Sequence, residues 1–267
     1  MPFLLSCEDK ANLNVTEGPK RLVVEGGISN DPGPYQVKLT ITQAINTTAP
    51  EAFVDGAIVV IIEDFTVRDT LQNLGSGNYQ TNTISQGSIG STYQLYIKTP
   101  EGLEYESIEE TMQDVPGMDS LFFKEKDDIT PNFFLTDGAI YGFTSFRDPS
   151  GIDNYYRYKF FLNGVYQGTS SDIFVVDDSF NDGQYIEERF DYELAIGDTL
   201  KVTQIAVSQR RSNFLVEWST LLNANGGPFD PPLSPLIGNI YKKGSTSEYA
   251  NGYFYAISEF TTERLVE

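Results

Sequence analysis

Short runs in which apolar and polar residues alternate fill most of the chain, and they predict strands. In YQVKLTITQ (35–43), Val37, Leu39 and Ile41 alternate with Lys38, Thr40 and Thr42, the pattern of a strand with one buried face. STYQLYIK (91–98) sets Tyr93, Leu95 and Ile97 against Gln94, Tyr96 and Lys98 in the same way. In GDTLKVTQIAVS (197–208), Leu200, Val202, Gln204 and Ala206 share a face, with Val207 out of step. NGYFYAISEF (251–260) places Tyr253, Tyr255 and Ile257 opposite Phe254 and Ala256, as a closing strand. AIVVIIED (57–64) is an unbroken β-branched run, which predicts a strand covered on both faces.

Turn signals separate these runs. SNDPGP (29–34), Asp55-Gly56, NLGSGNY (73–79) and Glu101-Gly102 all suit tight reversals. In YYRYKFFLNGVY (155–166), Asn163-Gly164 supplies the two positive-φ positions of a hairpin. Two further strands flank an Asn-Asp-Gly turn in SDIFVVDDSFNDGQYIEERFDYEL (171–194).

One stretch breaks the pattern. In SQRRSNFLVEWSTLLNAN (208–225), Phe214, Leu215, Trp218, Leu221 and Leu222 follow helical spacing on one face. Ser208 or Ser212 can cap its start, and Gly226-Gly227 can end it. A single helix after many strands is expected to lie across an open end of a sandwich, with Trp218 in the core.

The expected fold is mainly β: two β-sandwich domains, Ig-like or transthyretin-like, with one amphipathic helix near 208–225. Residues 1–20 read as a lipoprotein signal remnant and tether. Residues 21–125 read as the N-terminal sandwich, which ends where TMQDVPGMDSLFFKEKDDITP (111–131) loses its alternation. Residues 126–267 form the C-terminal β domain, with the helix and a Pro-rich loop. Four prolines between 228 and 235 force that loop to be extended. It offers Phe229, Leu233 and Leu236 as a partner contact, or as a strap over the sandwich end and its helix.

Charge narrows the function classes. Lys+Arg number 18 against 38 Asp+Glu, a formal net charge of -20, which repels nucleic acid and anionic lipid. The chain has no histidine, which removes Ser-His-Asp and Cys-His catalysis and the HExxH zinc site. It has no phosphate-binding glycine motif of the Walker or Rossmann type. No cofactor is expected, and carboxylate chemistry and oxygen-ligated calcium are what survive. In DDSFNDGQYIEE (177–188), Gly183 as the loop glycine sets Asp178 and Asp182 at ligand positions of an EF-hand, but Phe180 and Arg189 break the template. A looser calcium site at Asp177, Asp178 and Asp182 stands against a solvated hairpin turn. Asp127-Asp128, and Asp148 with Asp153, are the carboxylate pairs a hydrolase would use.

Cys7 is the only cysteine, so no internal disulfide forms. Leu4-Leu5-Ser6-Cys7 looks like the end of a bacterial lipobox, and Glu8-Asp9 resembles the acidic export tag of Bacteroidota surface lipoproteins. Lipidation of Cys7 is therefore expected, with the signal beginning upstream of Met1 and the polar stretch to residue 20 as a tether.

Several stretches in series carry a family resemblance. They are Cys7-Glu8-Asp9, LVVEGGISND (22–31), VDGAIVVIIED (54–64), GSGNYQ (75–80) and GSTYQLYIKTPEGLEYES (90–107). MQDVPGMDSLFF (112–123), GGPFDPPLSPLIGNI (226–240) and GYFYAISEF (252–260) complete the series. Together they resemble the Bacteroidota surface lipoproteins grouped as domain of unknown function 4249. The resemblance implies a two-part β protein lipidated at the outer membrane, from genes often near TonB-dependent transporters. The family has no known activity, so no site residue carries over. The N-terminal pattern also resembles carboxypeptidase-regulatory and transthyretin-like sandwiches, with a strand closed by Asp64, then G-x-Y, then Y-x-L-x-I.

The expected function is that of a non-catalytic binding accessory, anchored by lipid to the outer membrane and facing the exterior. It would work beside a TonB-dependent transporter and be monomeric apart from that partner. A cell-surface adhesin or structural module, and a carboxylate-only hydrolase, are the alternatives.

Overall fold

The structure, a computed structural model, describes residues 18–44, 48–82, 84, 86–130, 135–168, 173–224 and 234–267. The N-terminal half forms β1 (Leu22–Ser29), β2 (Gln36–Ile41), β3 (Ala52–Phe53), β4 (Ile58–Glu63) and β5 (Thr66–Thr70). It continues with β6 (Gln72–Gly75), β7 (Asn78–Gln80), β8 (Thr92–Lys98), β9 (Glu104–Ser107) and β10 (Glu110–Thr111). Next come β11 (Ser120–Glu125), β12 (Ile140–Arg147), β13 (Tyr155–Leu162), β14 (Val165–Tyr166) and β15 (Phe174–Asp177). β16 (Tyr185–Leu194), β17 (Thr199–Ala206), the helix α1 (Gln209–Asn223), β18 (Ile240–Lys242) and β19 (Asn251–Leu265) complete the order. The fold is mainly β with one helix, as the sequence predicts.

Three sheets result. The largest runs β14-β13-β17-β19-β1-β2-β7-β6, with β15 on β13 and β3 on β2. The second runs β18-β9-β8-β4-β5 with β10 on β8, and the third is β11-β12-β16. β19 joins the two halves of the largest sheet. Asn251–Ile257 lies parallel to Val23–Ser29 of β1, and Ser258–Leu265 lies antiparallel to Thr199–Ala206 of β17.

Side chains alternate across this sheet, so each strand feeds two faces. On one face Val24, Leu39, Tyr79, Phe254 and Ala256 pack with Val59, Ile61, Tyr93, Leu95 and Ile97 of the second sheet. Farther along, Tyr156, Tyr158, Phe160, Leu200 and Val202 pack with Leu121, Phe146, Ile186, Phe190 and Leu194 of the other strands. Two sandwich cores thus lie under one continuous sheet. On the opposite face the register lines up Lys38, Glu25 and Tyr253 in one half and Ile205 with Arg157 in the other.

The hairpin at Asn163-Gly164 forms as predicted, with φ of 50° and 79°. Gly252 answers a different demand: at φ 88° its backbone runs so close to β1 that a Cβ would sit 2.0 Å from the Val24 carbonyl oxygen.

Several local expectations change. β4 is covered mainly on one face: Val59 and Ile61 are buried, whereas Ile58 is 52% exposed. The Asn-Asp-Gly turn closes no hairpin, because β15 pairs with β13 and β16 with β12, so residues 178–184 cross between sheets. The polar stretch 111–131 contains β11, whose Leu121 enters the second core beside Met118. β11 then pairs with β12, while β18 and the first half of β19 pair with strands of the N-terminal half.

Helix α1 packs on a sheet face, rather than across a sandwich end, with the Phe214 ring 4.9 Å from that of Tyr253. Ser208 is its N-cap and accepts the Arg211 N–H at 3.1 Å. Phe214 and Leu215 are buried, but Trp218 is 38% and Leu222 49% exposed, so the C-terminal part of the apolar stripe runs past its cover. The helix ends at Asn223, and Gly226-Gly227 lie outside the described residues.

Candidate functional site

Where α1 leaves the sheet, a cleft of about 710 Å³ opens. Glu25, Gly26, Gln36 and Lys38 line it from β1 and β2, and Tyr253 and Tyr255 from β19. Phe214 and Trp218 line it from the helix, and Pro235 and Leu236 from the segment that follows. Arg157 of β13 and Arg211 of α1 bring two guanidinium groups.

Aromatic rings hold Arg211. Its guanidinium carbon lies 4.7 Å from the Tyr253 ring centre, 4.9 Å from that of Tyr255 and 5.6 Å from that of Phe214. Burial lowers Arg211 to about 10, and the nearby charge of Arg157 adds to the effect. Arg211 still carries its proton at neutral pH. The Nε of Arg157 is buried and has no acceptor among the described residues. A smaller cavity of about 70 Å³ shares Arg157, Arg211 and Tyr255 and adds Lys159. Burial holds Lys159 below an ordinary lysine; Glu259 opposes that shift, and Arg157 and Arg211 reinforce it. Among the described residues none of these three cations joins an ion pair. Glu25 is the only carboxylate in the described cleft lining, and Lys38 is already bound to Glu51 at 2.9 Å.

The cleft wall is anchored by one buried carboxylate. Glu110, 1% exposed, accepts from Ser208 Oγ at 2.5 Å and Tyr253 Oη at 2.6 Å. Arg210 Nη1 and Asn239 Nδ2 also donate to it, each at 3.2 Å. One side chain thus ties together β10, the helix start, the turn before β18, and β19. Burial, and then the Glu110 charge, push the Tyr253 hydroxyl far above its ordinary range, so it stays a donor.

Other candidates sit elsewhere. Asp178 and Asp182 do come together, but Asp148 completes the group in place of Asp177, with carboxylate oxygens within 4.8 Å of one another. Asp177 is exposed and accepts the Ser179 N–H. Asp148 accepts from Tyr156 Oη and Gly183 N, Asp178 from Asn154 N, and Asp182 from Gly151 N. That spacing suits one oxygen-ligated cation, although every member already holds a neutral donor. Burial is the main force raising Asp178. Asp127 and Asp128 lie exposed in a short 3-10 turn, and Asp153 is exposed. Leu236 is half-buried in the cleft lining, while Cys7, Phe229 and Leu233 lie outside the described residues.

Sequence reasoning passed over Arg157, Arg211 and Glu110. The two arginines belong to no motif, and only their alternation with Tyr156 and Tyr158, or their place after a helix cap, marks them. No curated protein matches the chain. A family-level match does cover nearly its whole length. Residues 8–263 match the family described as domain of unknown function DUF4249, and the chain belongs to that family.

Proposed function

We propose that the chain is a binding protein that does not transform its ligand, anchored through lipid on Cys7 at the outer membrane of a Bacteroidota-type cell and facing the exterior. The cleft beside α1 carries the binding part of this reading. It is concave, has aromatic and apolar lining with a few polar groups, and falls in the size range of small-molecule sites, roughly 300–1,000 Å³. A carboxylate-only hydrolase needs two acids facing one bond, and the described lining supplies Glu25 alone. The lipobox-like Leu4-Leu5-Ser6-Cys7 and the Glu8-Asp9 tag support the anchor. The series of stretches shared with the family supports a TonB-dependent transporter as partner, with Phe229, Leu233 and Leu236 as the contact. The alternation closed by Asp64 supports a transthyretin-like type for the N-terminal half.

Co-purification from native membranes in mild detergent tests the partner. A membrane β-barrel protein should be recovered with the chain, and its consistent absence would count against the transporter. For the anchor, the precursor carrying Cys7→Ser should leave the outer-membrane fraction. A variant that stays there as before would exclude lipidation.

A further inference from the structure

We infer that the cleft takes a small organic anion, with its acidic head on Arg157 and Arg211 and its apolar body against Phe214 and Trp218. This rests on the binding reading above and adds the chemical class of the ligand.

Charge is the first argument. In a molecule of net charge -20, acids are plentiful, yet where Arg157, Lys159 and Arg211 meet around one opening, Glu259 acts on Lys159 without an ion pair and none of the three cations forms one among the described residues. A desolvated cation without a counter-ion is unfavourable, and an incoming oxyanion relieves it. Hydrogen bonding is the second. The buried Nε–H of Arg157 lacks an acceptor among the described residues, and a guanidinium edge matches two oxygens of one oxyanion. Arg211 is stacked on Tyr253 and Tyr255, which fixes its charge at the cleft and lowers the ordering cost of binding. Size and lining are the third. About 710 Å³ is far more than an inorganic ion fills, and the rings of Phe214 and Trp218 ask for an apolar body. Glu25 in the same lining disfavours a second acidic group, so the ligand carries a single anionic head.

Trp218 is the sole tryptophan, lines the cleft and is 38% exposed, so its emission reports on this site. The purified chain is titrated with two probes of similar shape, anionic 1-anilinonaphthalene-8-sulfonate and neutral N-phenyl-1-naphthylamine, following energy transfer from Trp218. The anion should bind saturably and about tenfold or more tighter than the neutral probe, and dodecanoate should displace it. Arg157→Gln and Arg211→Gln should each weaken the anion about tenfold while changing the neutral probe less than about twofold. Arg157→Lys keeps the charge without the planar edge and should fall between. Because Arg157 forms no ion pair among the described residues, its Gln variant should melt no lower than the parent, which separates lost binding from lost fold. Equal affinity for both probes, indifferent to the arginine changes, would overturn the anion inference and leave the binding cleft standing. No transfer from Trp218 with either probe would overturn both.

Discussion

Removing the Glu110 carboxylate should loosen the cleft wall and the whole fold together. In Glu110→Ala the buried Tyr253 hydroxyl loses its acceptor, which costs about 1–3 kcal/mol. Asn239 Nδ2 still donates to the Phe254 carbonyl at 2.8 Å, so its loss is smaller. Ser208 remains the helix cap, and Arg210, with its side chain 46% exposed, turns to water; together they lose about 1 kcal/mol. The space left in a 1% exposed site adds about 1 kcal/mol. The sum is about 3–5 kcal/mol, comparable to removing one member of a buried ion pair. Glu110→Gln keeps the shape and one acceptor oxygen and should lose about 1–2 kcal/mol. Urea unfolding followed by Trp218 emission and by far-ultraviolet circular dichroism measures both variants. A cycle combining Glu110→Gln with Tyr253→Phe should show a coupling of about 1 kcal/mol or more. An alanine variant within about 0.5 kcal/mol of the parent, or a glutamine variant worse than alanine, would refute this account of the wall.

Other outcomes follow from single features. Burial raises Asp178, Glu188 and Glu259, so the folded chain holds these protons more tightly than the unfolded one; stability from them grows as pH falls toward the ordinary values of 3.8 and 4.5. Asp64 and Asp198 are lowered by hydrogen bonds and act the other way at lower pH still. The melting temperature should therefore rise from pH 7.5 to about 5 and drop below about 4, and a steady fall from 7.5 to 5 would contradict this. Gln204 is fully buried with neither amide atom partnered among the described residues, so Gln204→Leu should gain about 1 kcal/mol in urea unfolding; a loss would mean the amide is bonded in solution. Gly252→Ala drives a methyl against the Val24 carbonyl at positive φ and should cost about 3 kcal/mol or more; a shift in melting temperature of under about 2 °C would argue against the close strand contact.

What the sequence told depended on range. Alternation is a local property, so Tyr93, Leu95 and Ile97 could be assigned to one buried face, and all three are 0% exposed. Asn163-Gly164 needed only two residues to specify its hairpin. Trp218 shows where a local pattern stops: it shares a stripe with Phe214, but burial depends on how far the sheet beneath extends. The unbroken AIVVIIED run misled for the same reason, because β4 belongs to a sheet with one main cover. Pairings between distant segments had no local signal. Nothing near Asp178 points to Asp148, and nothing near Arg211 points to Arg157; topology alone brings each pair together. Asp177 and Asp178 look alike in sequence, and the strand end turns one outward.

β19 also bears on the order in which the molecule can form. The first strand of the sheet finds its neighbour more than two hundred residues later, as the Asn30 contact with Glu259 across 229 positions illustrates. During synthesis from the N-terminus, one edge of β1 stays open until the last strand has emerged, and open edges invite pairing with other chains. Closing so long a loop also makes the final step slow relative to the local hairpins. Since Tyr253 and Tyr255 arrive with that strand, the cleft cannot form until β19 has been made. An intact cleft therefore reports that β19 has docked beside β1.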